Sequence, residues 1–158
     1  MLVDEVEITI KAGNGGDGKV NFHREKFVPR GGPDGVDGGG GGDIYFVGVE
    51  DITALRQFRF KKELLADSGK PGGANRKTGL SGKDLEIKAP VGTVINDMEI
   101  GDVWEIRNVG ERIKIAKGGK GGRGNWHFRA STNQTPMEYE EGQEGQEGRY
   151  GSGYRFDS

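Results

Sequence analysis

The residues of this chain that could do chemistry are mainly cations set among glycines. Lys26 and Arg30 border the run GGPDGVDGGGGGD from Gly31 to Asp43. Lys70, Arg76, Lys77 and Lys83 stud a second glycine-bearing stretch. Lys120 and Arg123 sit in a third, KGGKGGRGN, which leads into Trp126, His127, Phe128 and Arg129. Glycine lets a ligand approach the backbone closely, a cation beside it adds charge, and neighbouring aromatic rings offer stacking faces. That combination suits a phosphate backbone carrying unstacked bases, the chemistry of RNA contact. Any one of these nine cations taken alone could be ordinary surface charge; their clustering at glycine-loop positions is what points to RNA.

Other chemistries find less support. The chain has no cysteine, which excludes disulfides and thiolate metal sites and suits a reducing compartment. Its two histidines, His23 and His127, are too few for a zinc site without cysteine, so no metal is expected. No G-x-S-x-G elbow is present, and the carboxylates are spread over surface positions, so no catalytic residue is nominated. The spacing G-x-G-x-x-G occurs at Gly13, Gly15, Gly18 and again at Gly119, Gly121, Gly124. Neither instance opens a helix, and without a helix N-terminus a pyrophosphate loses its binding dipole. No phosphate loop G-x-x-x-x-G-K-[ST] exists either, since Gly69-Lys70 is followed by Pro71 and Gly82-Lys83 by Asp84.

The formal net charge of −2 and a pI near 5.8 hide an uneven distribution. From Arg56 to Lys88 there are nine Lys/Arg against four Asp/Glu, and from Arg107 to Arg129 seven against one. Acids gather in Glu138, Glu140, Glu141, Glu144 and Glu147, which read as an acidic tail held apart from the basic surfaces. No apolar run approaches a membrane span, and Met1 leads straight into a strand pattern rather than a leader.

The elements that would hold the cations are unusual. Glycine is 31 of 158 residues, far above the ~7% average. Gly32, Gly35, Gly38 and Gly41 fall on a three-residue period, as do Gly15 with Gly18 and Gly118 with Gly121 and Gly124. Three residues is the repeat of the polyproline II helix, which has no hydrogen bonds of its own. With glycine on one face of every turn, neighbouring helices can approach until their backbones bond to each other. Flexible linkers are the alternative, but linkers are padded with serine, whereas these runs carry Asn14, Asp17, Asp34, Asp37, Lys120 and Arg123 at fixed offsets. Ordering glycine costs about 1–2 kcal/mol per residue, so such runs must pack together, with Asp34 expected at an exposed edge.

Between the runs the pattern is that of strands. Val6, Ile8 and Ile10 alternate with Glu7, Thr9 and Lys11; Val20 and Phe22 alternate briefly; Asp43–Val49 and Lys83–Lys88 follow; Val94 and Ile95 lie after a Pro90–Gly92 turn. Val103–Arg107 and Arg112–Ala116 read as a hairpin closed by NVGE, and Leu55 with Phe58 as a single helical turn. The expectation is an all-β body of about eight short strands carrying glycine-rich loops, over residues 1–150, with 151–158 a linker or appended tail.

Several blocks are specific in order and spacing: VPRGGPDGVDGGGGGD, FRFKKELLADSG, APVGTVI, IAKGGKGGRGN and TNQTP. In these the chain resembles the glycine-rich N-terminal domain of the Obg family of ribosome-associated GTPases, over nearly the whole of residues 1–150. The resemblance implies an Obg fold, a small β-sandwich bearing a bundle of left-handed polyproline II helices. It implies docking on the large ribosomal subunit and its rRNA, loop tips toward the peptidyl-transferase region, in subunit assembly and growth control. It implies a cytoplasmic monomer, with GTP and magnesium belonging to a GTPase domain this chain lacks, so that the fragment itself is no enzyme and holds no cofactor. The competing reading is a protein-interaction module or rigid spacer without RNA contact, its cations merely solvated.

Overall fold

The computed structural model describes residues 2–22, 32–54, 63–73, 77–130, 133 and 136–155, the side chains of residues 2–6 and 152–155 excepted. Among these residues eight strands form two sheets. The larger has the order β3-β1-β8-β5-β6, from β1 (Leu2–Lys11), β3 (Glu63–Leu65), β5 (Thr93–Asp97), β6 (Val103–Glu105) and β8 (Glu147–Arg155). The smaller has the order β4-β2-β7, from β2 (Ile44–Val49), β4 (Leu85–Pro90) and β7 (Arg112–Ala116). Both sheets are mixed: β1 pairs parallel with β3 and antiparallel with β8, while β2 pairs parallel with β4 and antiparallel with β7.

The alternation in the sequence selects the inner faces. Ile8, Ile10, Leu64, Ile95 and Tyr150 of the larger sheet meet Ile44, Phe46, Ile87, Ala89 and Ala116 of the smaller in one buried cluster. Each buried Ile, Leu or Phe of this set contributes about 1.5–3 kcal/mol by leaving water, enough in sum to hold two small sheets face to face. Tyr150 adds a hydrogen bond from its hydroxyl to the Ile115 carbonyl at 2.8 Å, linking the sheets. Burial, with Asp97 beside it, pushes its pKa up to about 12.

Two expectations about the body need correction. The hairpin read over NVGE does not form, because β6 and β7 lie in different sheets. Ile106 is the reason: it is fully buried, and its backbone pairs with Thr93 and Gly92 (Ile106 N–H to the Thr93 carbonyl, 2.9 Å; Gly92 N–H to the Ile106 carbonyl, 2.7 Å). The chain then crosses to the second sheet through a tight turn in which Gly110 sits at φ +84, a left-handed conformation that suits glycine. Residues 151–155, read as linker or tail, continue β8: Gly151 pairs with Glu7 and Asn96, and Gly153 with Glu5 and Val94. The short alternation at Val20–Phe22 yields only an isolated bridge from Phe22 to Pro33. The expected helical turn at Leu55–Phe58 lies outside the described residues. Among those described, no helix is long and apolar enough to cross a membrane.

Candidate nucleic-acid interface

Among the described residues, six extended glycine-bearing segments leave the same end of the β body. Segment A (12–21) continues from β1, B (34–43) runs into β2, C (66–73) continues from β3, D (77–84) runs into β4, E (117–124) continues from β7, and F (137–146) runs into β8. None has a bond within itself that could hold it; each is ordered by its neighbours, and the bonds recur every third residue. Gly13, Gly16 and Lys19 of A donate to the carbonyls of Gly42, Gly39 and Val36 of B at 2.9, 2.9 and 3.0 Å. Gly38 and Gly41 of B donate to Gly122 and Gly119 of E, both at 2.9 Å. Gly69 and Gly72 of C donate to Asn14 and Asp17 of A at 2.8 Å, and Gly79 and Gly82 of D to Asp37 and Gly40 of B at 2.9 and 2.8 Å. Ala12, Gly15 and Gly18 donate to Gln146, Gln143 and Glu140 of F at 2.9, 2.8 and 2.9 Å. The repeat of three in these bonds is the repeat of the glycines.

A side chain at most of the nominated glycines would land on a neighbour's backbone. A Cβ on Gly15 would fall on the Lys120 carbonyl, on Gly18 on that of Arg123, on Gly35 on that of Lys19, on Gly38 on that of Gly16, and on Gly41 on that of Gly13. On Gly118, Gly121 and Gly124 it would fall on the carbonyls of Gly41, Gly38 and Gly35. Gly32 differs: it is exposed, with nothing within 4 Å of an added Cβ. The same packing disposes of the two G-x-G-x-x-G spacings, because neighbouring carbonyls fill the place where a pyrophosphate would lie.

The polar residues at fixed offsets bond to the backbone N–H groups of adjacent segments. Asn14 Oδ1 accepts from Gly145 at 3.0 Å, Asp17 Oδ1 from Gly142 at 2.8 Å, and Asp37 Oδ1 from Gly124 at 3.1 Å. Asp43 Oδ1 accepts from Gly118 at 2.7 Å while its other oxygen meets Lys114 at 3.3 Å. Burial pulls the Asp43 carboxyl up, but the Gly118 N–H and Lys114 together outweigh that and hold it below its ordinary value. Asn125, fully buried, accepts from Gly35 N–H at 2.9 Å and donates to Asn21 and Pro136 at 3.0 and 3.1 Å, tying A, B and E to the return into F. Asp34 is also buried, 5% exposed, and accepts from Asn21 at 2.7 Å, so it does not sit at an exposed edge.

This framework sorts the nine nominated cations. Lys26, Arg30 and Arg76 lie outside the described residues. Lys77 begins D at the end remote from the body, bonded through its carbonyl to Gly73. Lys70 lies halfway along C, Lys120 halfway along E, and Lys83 near the body on D; all are exposed. Arg123 is bound by its guanidinium to Glu140, with its backbone N–H reaching the same carboxylate at 3.3 Å and its cation 5.3 Å from the Phe128 ring. Arg129 folds back over Trp126, 3.4 Å from the ring centroid, and donates to the Trp126 carbonyl at 2.7 Å. His127 Nε2 meets Asp37 Oδ1 at 2.7 Å. Among the described residues no three His, Asp or Glu side chains gather as a metal site.

The acidic stretch is where sequence reasoning missed most. Residues 137–146 are segment F of the bundle, with Glu140, Gln143 and Gln146 donating to the carbonyls of Arg123, Lys120 and Lys117 at 2.8, 2.9 and 3.0 Å. The acids are therefore not held apart from the basic stretch but lie against it. The signal was present in Gly142, Gly145 and Gly148, which share the three-residue period.

A family model described as GTP1/OBG matches residues 3–151. Similar curated proteins are each named GTPase Obg. The Flavobacterium johnsoniae protein is 49% identical over 89% of this chain, the Solibacter usitatus protein 48% over 90%, and the Caldicellulosiruptor bescii protein 50% over 90%. The matched region makes up 43%, 42% and 34% of those relatives, so the chain spans less than half of their length.

Proposed function

Because the chain belongs to the GTP1/OBG family, we propose that it is the module by which an Obg-type GTPase docks on the large ribosomal subunit, gripping rRNA from the glycine bundle. In this reading the six segments are packed polyproline II helices and serve as a stiff arm. One observation carries it: the segments alternate in direction, so that the described residues joined across their outer ends, Phe22 with Pro33, Gly73 with Lys77 and Asn125 with Pro136, lie at the end remote from the β body. At ~3.1 Å per residue the ten residues of segment A place that end roughly 28 Å away. In sequence the stretches between these paired residues carry cations: Lys26 and Arg30 in the first, Arg76 just before Lys77 in the second, Arg129 in the third. A narrow, stiff, cation-tipped arm fits into a crevice of folded RNA and reads shape and phosphate rather than sequence. The GTP and magnesium chemistry of the whole protein belongs to a part outside these 158 residues, which contain no phosphate loop. Assembly of the large subunit, in the cytoplasm, is the process such docking would serve.

The test is co-sedimentation of this chain with purified large subunits over a KCl series. Neutralising six or more phosphates should cost roughly 10³-fold in affinity between low and moderate salt. Binding that ignores salt overturns the reading. The spacer or protein-interaction reading draws on the carboxylate partners of Arg123 and His127; it requires that Lys26, Arg30, Arg76, Lys77 and Arg123 can all become glutamate without loss of the partner.

A further inference from the structure

Accepting the RNA-docking reading, on which this inference rests, the bundle offers RNA two unlike flanks. Two adjacent rods have two common neighbours, one on either side. Segments A and B bond to each other; C bonds to both, E bonds to both, and no bond joins C to E among the described residues. C and E therefore flank the A–B pair from opposite sides. D bonds to C and B, and F bonds to E and A, so C with D forms one flank and E with F the other.

The flanks differ in charge. On C and D the exposed ions are Lys70, Lys77 and Lys83 against Asp67 and Asp84, and Asp84 is engaged by the Asp43 N–H at 2.8 Å. On the other flank Glu138, Glu141 and Glu144 recur every third residue along F, all exposed, a spacing of about 9 Å on a polyproline rise, against the exposed Lys117 and Lys120 of E; Glu147, next in the row at the start of β8, meets Lys11 at 3.5 Å. Glu140 interrupts that row only to bind Arg123, the cation of E nearest the remote end. A phosphate chain laid along E and F would meet a row of carboxylates, and like charges at this range repel.

We infer that the C–D flank is the side of the bundle laid against RNA phosphate, with Lys70, Lys77 and Lys83 as contacts. The E–F flank faces away from it, and Arg123 there acts as a strut between two segments. The partition follows from the balance of exposed charge: three lysines against two aspartates on C and D, but Glu138, Glu141 and Glu144 against Lys117 and Lys120 on E and F.

The test uses the whole chain and purified large ribosomal subunits, with the salt dependence of the dissociation constant read by sedimentation. Each lost phosphate contact removes about 0.7–0.9 from the slope of log K against log salt. The triple variant Lys70→Gln, Lys77→Gln, Lys83→Gln should therefore flatten the slope by about 2. The double variant Glu141→Gln, Glu144→Gln should keep the wild-type slope and bind within about twofold of wild type. All five positions are exposed, and a melting curve for each variant confirms the fold. A triple variant with the full wild-type slope overturns the assignment, as does a double variant that binds tenfold or more tightly, since that would put phosphate over the E–F flank. Failure of the wild-type chain to bind removes the docking reading itself, a different and separable result.

Discussion

At Gly38 a missing side chain is a structural requirement, because the Gly16 carbonyl stands where a Cβ would go. Gly38→Ala should push A and B apart and weaken the bonds from Gly16 to Gly39 and from Gly38 to Gly122, at a cost of about 2–4 kcal/mol. Gly38→Val should cost more, and both show as a lowered melting temperature. Gly32→Ala supplies the contrast: with open space around it, the change should be neutral or stabilise by about 0.4–1 kcal/mol through the unfolded state. An unaltered melting temperature for Gly38→Ala would mean that the bundle is not packed as described. Tyr150 makes a separate residue-level prediction. Its folded-state pKa, about 12, lies above the ordinary 10.0, so its contribution is complete below pH 10 and is lost as pH rises through about 12. Tyr150→Phe should reduce the loss of stability over that alkaline window. At neutral pH it should cost about 1 kcal/mol, because the Ile115 carbonyl loses its donor. A wild-type chain whose stability is flat between pH 10 and 12 would contradict this.

Segment F shows how far the elements could be read from sequence. Strands with clean alternation, such as Ile8 and Ile10 in β1 or Ile44 and Phe46 in β2, were legible because one face is buried and the other solvated. β3 was not, since a three-residue strand with Leu64 as its one buried side chain has no period to show. β8 escaped for a different reason: Gly148, Gly151 and Gly153 leave Tyr150 as its single large described core residue, so pairing rather than pattern defines it. F was masked by its charge, which suggests a solvated tail, although its glycines keep the phase of the other runs. The cations were legible as a set, but their partners were not, because Arg123 and Glu140 are separated by sixteen residues of chain. F can be tested as an element. A Cβ on Gly142 would fall on the Gly15 carbonyl and one on Gly145 on that of Ala12. Gly142→Ala and Gly145→Ala should each lower the melting temperature by an amount comparable to Gly38→Ala. A tail would tolerate both, and would be trimmed by protease before the body unfolds.

Over the whole molecule, the two halves are stabilised by different physics, and one depends on the other. The β body has an apolar cluster that leaves water on folding; the bundle has almost none, Val36 being, among the described residues, its one buried aliphatic side chain beyond Ala12 at the join. Its stability is a set of backbone bonds repeating every third residue, and net of water each is worth only about 0.5–1.5 kcal/mol against a large entropic cost for ordered glycine. Order must then be lent by the body: every segment is the direct continuation of a strand, so sheet pairing fixes register and direction at one end. That influence decays with distance, which predicts a gradient in amide hydrogen exchange. Ala12, Gly42, Ala66 and Gln146, bonded next to the strands, should exchange slowly, at rates near those of the β2 core. Lys19, Gly38 and Gly72, farther out, should exchange faster, and Val36, whose bond to Gly73 is the longest of the set at 3.4 Å, fastest of all. Uniform protection along the segments would mean instead that the bundle holds itself together. Under the docking proposal, binding of the large subunit should slow exchange most at the remote end, where order is weakest and RNA supplies the missing contacts.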